Sequence, residues 1–136
     1  MYEYRCTVVK IIDGDTVDVD IDLGFGVWLK KERIRLYGID TPESRTRDLE
    51  EKKYGLAAKE FITQMLDDEG GVVLKTHKDA KGKFGRILGE LWRTTDYADK
   101  SINDYMVEKR HAVPYYGQSK EEIAEQHIKN REFHNL

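Results

Sequence analysis

In Ile34-Arg35-Leu36-Tyr37-Gly38-Ile39-Asp40-Thr41-Pro42-Glu43, an alternating strand runs directly into an acidic turn. On such a strand Ile34 and Leu36 share one face, and Arg35 lies on the other. The guanidinium of Arg35 suits a phosphate, because it is a planar fork of hydrogen-bond donors. The carboxylates of Asp40 and Glu43 suit a hard cation or a water that is to be deprotonated. Taken alone, the stretch also fits an ordinary surface strand with salt bridges.

The length of 136 residues predicts one domain over residues 1–136, with a single core. A lone cysteine, Cys6, excludes an intrachain disulfide. No apolar run approaches the ~18 residues that a membrane span needs, and the first residues lack the apolar segment of a signal peptide. These features predict no membrane partner and a cytoplasmic location, although secretion of a longer precursor would leave the same features.

The charges of the chain are segregated. A net charge of −3 and a pI near 5.8 are not typical of a protein that binds nucleic acid through overall positive charge. However, one acidic block runs from Asp13 to Asp22, and one basic block runs from Lys75 to Arg86. The fold is therefore expected to carry opposed charged patches.

Alternation of apolar residues predicts five strands, and turn residues separate them. The first three form an antiparallel meander and the last two a hairpin. Asp18, Asp20 and Asp22 share the polar face of the second strand, which we interpret as a solvated edge. Asp15 has the parity of the buried face. The predicted strands cover residues 2–12, 16–23, 27–39, 72–76 and 86–92.

Three helices are predicted from apolar spacing and capping residues. After a charged loop over residues 41–53, the first helix runs from Tyr54 and is stopped by Gly70-Gly71. Capping boxes at Ser101 and Ser119 begin a second helix and a third, loosely docked helix that ends near residue 131. This order of elements predicts an α+β fold, a five-stranded OB-fold barrel with three helices.

Three polar stretches can meet on this barrel, around Asp15, around Asp40 and around Arg86. Asp15 and Asp40 offer oxygen ligands to a hard cation, and the lack of nearby Cys or His argues against zinc. With Glu43, the carboxylates outnumber Arg35 and Arg86 by one charge, so a divalent cation makes the site attractive to a phosphodiester. Two arginines and a metal are the groups that stabilise the charge of a phosphodiester hydrolysis transition state.

Four motifs together resemble the staphylococcal nuclease (thermonuclease) family, in order and spacing from residue 8 to about 116. They are Ile12-Asp13-Gly14-Asp15-Thr16, Arg35-Leu36 with Asp40-Thr41-Pro42-Glu43, Lys53-Tyr54-Gly55 and Lys83-Phe84-Gly85-Arg86. The resemblance implies the same OB barrel and a Ca²⁺-dependent phosphodiesterase that acts on DNA and RNA. It implies attack of water on phosphorus, cleavage of the P–O5′ bond and 3′-phosphate ends. We expect a monomer that prefers single-stranded or locally opened substrate.

The resemblance also implies roles for single residues. Asp15 and Asp40 match the Ca²⁺ carboxylates, and Thr41 matches a ligand that binds through its carbonyl. Glu43 matches the general base, or a group that orients the attacking water. The two phosphate-binding arginines of the family correspond to Arg35 and Arg86.

Substrate contacts are implied for two aromatic segments. Lys83 and Phe84 match a Lys-Tyr pair that touches nucleotide, with the hydroxyl lost in this chain. Tyr115 is similar in position to a tyrosine that packs on the nucleotide, but Pro114 and Gly117 alter the segment, so the choice between Tyr115 and Tyr116 stays open.

Two functions other than an enzyme fit parts of the sequence. A non-catalytic OB-fold module that binds nucleic acid or protein is the main alternative, and the intact set of acidic and arginine residues favours the enzyme. An assembly protein that uses helix 119–131 has little support in its weak apolar face. His127 and His134 would lie ~10.5 Å apart along one helix, too far to share a metal ion. His77 and His111 are interpreted as structural or solvated.

Overall fold

The computed structural model describes residues 2–67, 71–77, 85–94 and 100–136. Its strands are β1 (Glu3–Asp13), β2 (Thr16–Gly24), β3 (Val27–Leu36), β4 (Ile39–Asp40), β5 (Val72–Thr76), β6 (Ile87–Arg93) and β7 (Val113–Pro114). Its helices are α1 (Leu49–Leu66), α2 (Ile102–Glu108) and α3 (Lys120–His134).

Five of the strands close a barrel in the order β1-β2-β3-β6-β5. The first three form an antiparallel meander, and β5 and β6 form an antiparallel hairpin. The barrel closes where β3 pairs in parallel with β6 and where β1 pairs antiparallel with β5. The predicted α+β fold, a five-stranded OB-fold barrel with three helices, is confirmed.

The core fills the inside of the barrel and continues under two helices. Apolar alternation directs every second side chain of β2 and β3 inward, while α1 and α2 cover the barrel with their apolar faces. No helix in the described ranges is long and apolar enough to cross a membrane. The fully buried core includes Val17, Val19, Ile34, Leu36, Ala58, Ile62, Leu74, Leu91, Ile102 and Met106.

The predicted third strand is interrupted, and the interruption shapes the site. β3 ends at Leu36, and Ile39–Asp40 forms a separate strand, β4, which pairs with β7. Gly38 lies between them with φ +80°, a conformation that few residues other than glycine adopt without strain. The chain therefore leaves the barrel at Tyr37, and Asp40 belongs to a small second sheet.

The first helix begins earlier than the apolar spacing indicated. α1 begins at Leu49 rather than Tyr54, because the side chain of Asp48 accepts hydrogen bonds from the backbone N–H groups of Glu50 and Glu51. The charged loop is shortened accordingly. The helix ends with Asp67 as its C-cap, so Gly71 does not stop it, and Gly70 lies outside the described residues.

The aspartates of β2 do not form a solvated edge, because β2 lies between β1 and β3. Asp18 pairs with Arg33 at 2.8 Å, and Asp20 pairs with Lys30 at 3.3 Å. A backbone hydrogen bond from Lys31 lowers the pKa of Asp20. The edge interpretation was therefore wrong. α3 is docked loosely as expected, since none of its residues is fully buried.

Candidate active site

Three of the predicted site residues converge at the end of the barrel. Nη2 of Arg35, on β3, lies 3.5 Å from Oδ2 of Asp15 and 3.6 Å from Oδ1 of Asp40. Asp15 occupies the turn between β1 and β2, and Asp40 ends β4. The structure therefore brings two carboxylates from separate segments to one guanidinium. A second nitrogen of Arg35 donates to the carbonyl of Leu36 at 2.8 Å, which fixes the direction of the side chain.

Hydrogen bonds hold the carboxylate of Asp15 in place. The hydroxyl of Thr16 donates to Oδ1 at 2.9 Å, and the backbone N–H of Thr41 donates to Oδ2 at 3.1 Å. The carbonyl of Asp15 accepts from the N–H of Leu36 at 2.8 Å. Asp15 is only 8% exposed, so these bonds replace the water that a charged group needs. The carboxylate is thus preorganised before any ligand arrives.

The backbone of Glu43 is fixed between two elements, while its side chain is exposed. Its N–H donates to Oε2 of Glu51 on α1 at 3.1 Å. The next residue, Ser44, donates from its N–H to Asp13 at 3.1 Å and from its hydroxyl to the same carboxylate. A Cβ on Gly55 would lie 2.2 Å from the carbonyl oxygen of Glu43, so only glycine allows α1 to approach this closely.

A cavity of about 340 Å³, here called the helix cavity, separates this turn from α3. Glu43 and Asp40 line it from one side, and α3 lines it from the other. Its volume leaves room for several waters next to the carboxylates. Its lining residues are Asp40, Thr41, Glu43, Glu51, Lys120, Ile123, Ala124, His127, Ile128 and Arg131.

Sequence reasoning missed one residue of the site, His127 on α3. Its Nε2 lies 2.8 Å from Oδ2 of Asp40, and its Nδ1 is buried without a hydrogen-bond partner in the described part of the chain. The contact joins residues 87 positions apart. No local pattern signals it, because α3 is weakly amphipathic and its register against β4 depends on the tertiary fold.

The second arginine shares a cleft with the first. This arginine cleft has a volume of about 670 Å³ and places Arg86 and Arg35 beside three tyrosines. The N–H of Tyr115 donates to the carbonyl of Gly38 at 2.7 Å, which holds the aromatic segment against β4. Lys83 and Phe84 lie outside the described residues. The cleft is lined by Arg35, Leu36, Tyr37, Ile39, Arg86, Leu88, Tyr115, Tyr116 and Gly117.

The donor atoms around Asp15 fit a hard cation. Asp15 and Asp40 supply carboxylate oxygens, and the neighbouring Thr41 has a buried hydroxyl without a hydrogen-bond partner among the described residues. No three His, Cys, Asp or Glu side chains of the described segments form a group that could hold a metal. A cation at this position would therefore need backbone carbonyl and water ligands as well, which Ca²⁺ accepts.

Two further histidines have packing roles. The ring of His77 stacks on Tyr37 with centroids 3.8 Å apart. The ring of His111 stacks between Phe61 and His134, at 4.8 and 4.4 Å. Burial, together with the nearby His134, lowers the pKa of His111 to about 4. Both imidazoles therefore serve as aromatic surfaces, in line with the structural interpretation.

The family model for staphylococcal nuclease homologues matches residues 33–134 of this chain. The chain belongs to the staphylococcal nuclease family. The match includes Arg35, Asp40, Glu43 and the whole of α3, and begins after the turn that holds Asp15. Family membership was the prediction from the four motifs, and it is confirmed.

Three curated relatives are about one third identical to this chain over the residues that align. A thermonuclease of Staphylococcus intermedius is 36% identical over 85 residues, which cover 62% of this chain and 46% of that protein. A thermonuclease of Staphylococcus hyicus is 34% identical over 90 residues, covering 66% and 49%. Protein ParB of Escherichia coli is 35% identical over 118 residues, covering 83% and 58%. The chain thus spans about half the length of these curated relatives.

Proposed function

We propose that this chain is a Ca²⁺-dependent nuclease that hydrolyses phosphodiester bonds in DNA and RNA and leaves 3′-phosphate ends. The observation that carries the proposal is the convergence of Asp15 and Asp40 on one nitrogen of Arg35. Family membership and the thermonuclease names of two relatives support the same activity. The proposal extends to this chain what those names say of other proteins.

In this mechanism the arginines bind the scissile phosphate. Arg35 and Arg86 line one cleft, and they are the only charged side chains among the described residues that line it. A guanidinium donates two parallel hydrogen bonds to phosphate oxygens. Negative charge grows on these oxygens as water adds, so donors fixed in advance stabilise the transition state more than the bound substrate.

Glu43 handles the proton of the attacking water. Its carboxylate accepts that proton, or orients the water, while the water oxygen forms a bond to phosphorus. The P–O5′ bond breaks on the opposite side, and the departing oxygen takes a proton to give a 5′-hydroxyl. The phosphate stays on the 3′ end of the other fragment. Asp15, Asp40 and the carbonyl of Thr41 would hold Ca²⁺, which would supply positive charge against the developing negative charge.

The proposed substrate is single-stranded or locally opened nucleic acid. Tyr115 and Tyr116 lie in the arginine cleft and are exposed by 45% and 72%. Bases stacked inside a duplex cannot reach such side chains, whereas unpaired bases stack on them for roughly 1–3 kcal/mol each. A monomer and a cytoplasmic location remain predictions.

The test is hydrolysis of heat-denatured DNA by the purified chain with Ca²⁺, with Mg²⁺ and with a chelator. Glu43→Gln, purified in parallel, controls for a contaminating nuclease. We expect cleavage only with Ca²⁺, loss of most cleavage in the variant, and 3′-phosphates that block extension by a polymerase until a phosphatase removes them.

The alternative is a non-catalytic module that binds nucleic acid or protein. A folded chain that cuts no substrate with any metal, yet binds single-stranded DNA, would support that alternative and contradict the nuclease. The exposed side chain of Glu43 and the buried, hydrogen-bonded Asp15 favour the enzyme, because a binding module needs neither of them.

A further inference from the structure

A second cavity lies next to the arginine cleft. It has a volume of about 610 Å³, close to that of the cleft, and shares Tyr37 and Ile39 with it. Tyr37 therefore forms a wall between two spaces of similar size. Only the cleft contains the arginines of the candidate active site.

The ring of Tyr37 is stacked on one face by His77 and is partly exposed to solvent. His77 stacks on it at 3.8 Å with an interplanar angle of 16°. His77 is itself held by Glu90, whose other oxygen accepts from Nε1 of Trp92 at 3.1 Å. Tyr37 nevertheless remains 48% exposed. A half-exposed aromatic ring with a supported back is a surface on which a further planar group can stack.

The backbone of Tyr37 is also fixed. Its N–H donates to the carbonyl of Gly89 at 2.8 Å. Its carbonyl accepts from the side-chain amide of Asn103 at 2.9 Å, and Asn103 is buried. The ring therefore loses little conformational freedom when a ligand binds, which favours affinity.

The two spaces differ in charge. The charged residues that line the cleft are Arg35 and Arg86, whereas the second cavity has three carboxylates and one ammonium among its lining residues, Glu90, Asp104, Glu108 and Lys100. Lys100 pairs with Glu108. The cleft therefore offers guanidinium donors to a phosphate, whereas the excess of carboxylates in the second cavity repels one. An uncharged base is not repelled, and its amino groups can donate to carboxylates.

We infer that Tyr37 is a stacking platform for the base of the nucleotide that follows the two flanking the scissile phosphate. The inference rests on the proposed function and extends the substrate site by one nucleotide beyond the arginine cleft. A single strand then lies across the wall, with its scissile phosphate at the arginines and the base beyond the flanking pair on Tyr37. Substrates long enough to reach the platform are preferred over shorter ones.

The test compares a dinucleotide with a single-stranded hexanucleotide of the same base. The quantity measured is kcat/KM per cleavable bond for the hexanucleotide, divided by the same value for the dinucleotide. Loss of one stacked base predicts that Tyr37→Leu lowers this ratio by roughly tenfold. Tyr37→Phe keeps the ring and should keep the ratio. Phe25→Leu replaces a fully exposed aromatic residue in the β2–β3 turn and serves as the matched control.

A ratio unchanged in Tyr37→Leu, or lowered equally in Phe25→Leu, overturns the inference. The test also separates this inference from the proposed function. If the wild-type chain cleaves neither length, the proposed nuclease activity is rejected. The stacking role of Tyr37 is then tested by the fluorescence anisotropy of labelled hexanucleotide and dinucleotide. A preference for the hexanucleotide that Tyr37→Leu removes then supports it, and equal binding in both proteins overturns it.

Discussion

Nε2 of His127 lies 2.8 Å from Oδ2 of Asp40, so α3 reaches a carboxylate of the candidate active site. The hydrogen bond leaves Oδ1 of Asp40 directed toward Arg35 at 3.6 Å. The orientation of the Asp40 carboxylate is therefore fixed from two sides, by His127 and by Arg35. A helix without a fully buried residue thus contributes to the geometry of the site through one side chain.

His127 is expected to act as a positioning residue for Ca²⁺. His127→Leu removes the hydrogen bond and frees the carboxylate of Asp40 to rotate. Loss of such an outer contact typically lowers metal affinity by about 10–100-fold. Calorimetric titration of the chain with Ca²⁺, without substrate, measures this change independently of turnover.

His134→Leu is the matched control for that experiment. His134 also attaches α3, because its Nε2 lies 3.0 Å from the carbonyl of Arg110, but it does not touch Asp40. We expect its Ca²⁺ affinity to stay near the wild-type value. Equal losses in both variants would mean that docking of α3, and not the bond to Asp40, sets the affinity.

Replacement of Glu43 should separate turnover from metal binding. Glu43→Gln keeps the shape of the side chain and removes the base, so kcat should fall by about 100-fold or more. Ca²⁺ affinity should survive, because the role proposed for Glu43 is to bind the attacking water and not the cation. Glu50→Gln is the control, since Glu50 is exposed and pairs only with Lys53 in the described structure, at 3.3 Å. Parallel loss of turnover and Ca²⁺ binding in Glu43→Gln would remove Glu43 from the base role.

Arg35 should not tolerate replacement by lysine. Its guanidinium contacts Asp15, Asp40 and the carbonyl of Leu36 at once, which a single ammonium cannot reproduce. Loss of one preorganised donor costs about 10²–10³ in kcat, so we expect Arg35→Lys to show a loss in that range by steady-state kinetics.

Arg33→Lys provides the comparison on the same strand. Arg33 pairs with Asp18 in a largely exposed salt bridge at 2.8 Å, and such pairs contribute roughly 0–1 kcal/mol to stability. Its kinetics should match the wild-type values. Near-normal kinetics in Arg35→Lys as well would mean that Arg35 acts only as a point charge.

The barrel could be predicted because its strands and turns are marked by patterns of neighbouring residues. Alternation in β2 and β3 and the turns between strands fixed the strand order, and Ser101 and Ser119 cap α2 and α3 as expected. The bend at Gly38 was missed, although the apolar parity changes there: Ile34 and Leu36 share one face, and Ile39 has the parity of Arg35. The start of α1 was missed because no apolar spacing precedes Tyr54. The helix begins at Leu49 because the side chain of Asp48 caps it there.

The sequence predicts those residues of the candidate site that belong to short motifs of charged residues. Asp15, Arg35 and Asp40 were chosen by charge and spacing, and the structure brings them together. His127 was considered only as a metal ligand, by its distance from His134 along the helix. Its contact with Asp40 depends on where the C-terminal helix docks, which no periodicity in the sequence specifies.

The close approach of α1 to Glu43 gives a prediction about Gly55. Gly55→Ala places a methyl carbon 2.2 Å from the carbonyl oxygen of Glu43, which is too close for either atom to stay where it is. Backbone must move, and overpacking of this kind costs typically about 1–3 kcal/mol. We expect a lower free energy of unfolding in denaturant and a fall in kcat. Leu56→Ala, at an exposed neighbouring position, should change the kinetics little. A variant with normal kcat would show that Glu43 tolerates the shift.

His111 should make the protein less stable in mild acid. Burial and the neighbouring His134 lower the pKa of His111 in the folded state from about 6.5 to about 4. Between these values the unfolded chain binds a proton that the folded chain does not, so stability is lost as the pH falls from 6.5 toward 4.

His111→Phe keeps a ring between Phe61 and His134 and removes this proton. The midpoint of thermal unfolding should therefore fall less between pH 7 and pH 4.5 in His111→Phe than in the wild type. Between pH 7 and pH 8, where His111 is neutral in both states, the two proteins should differ by a constant amount. Identical acid dependence in both proteins would show that carboxylates alone set the acid stability.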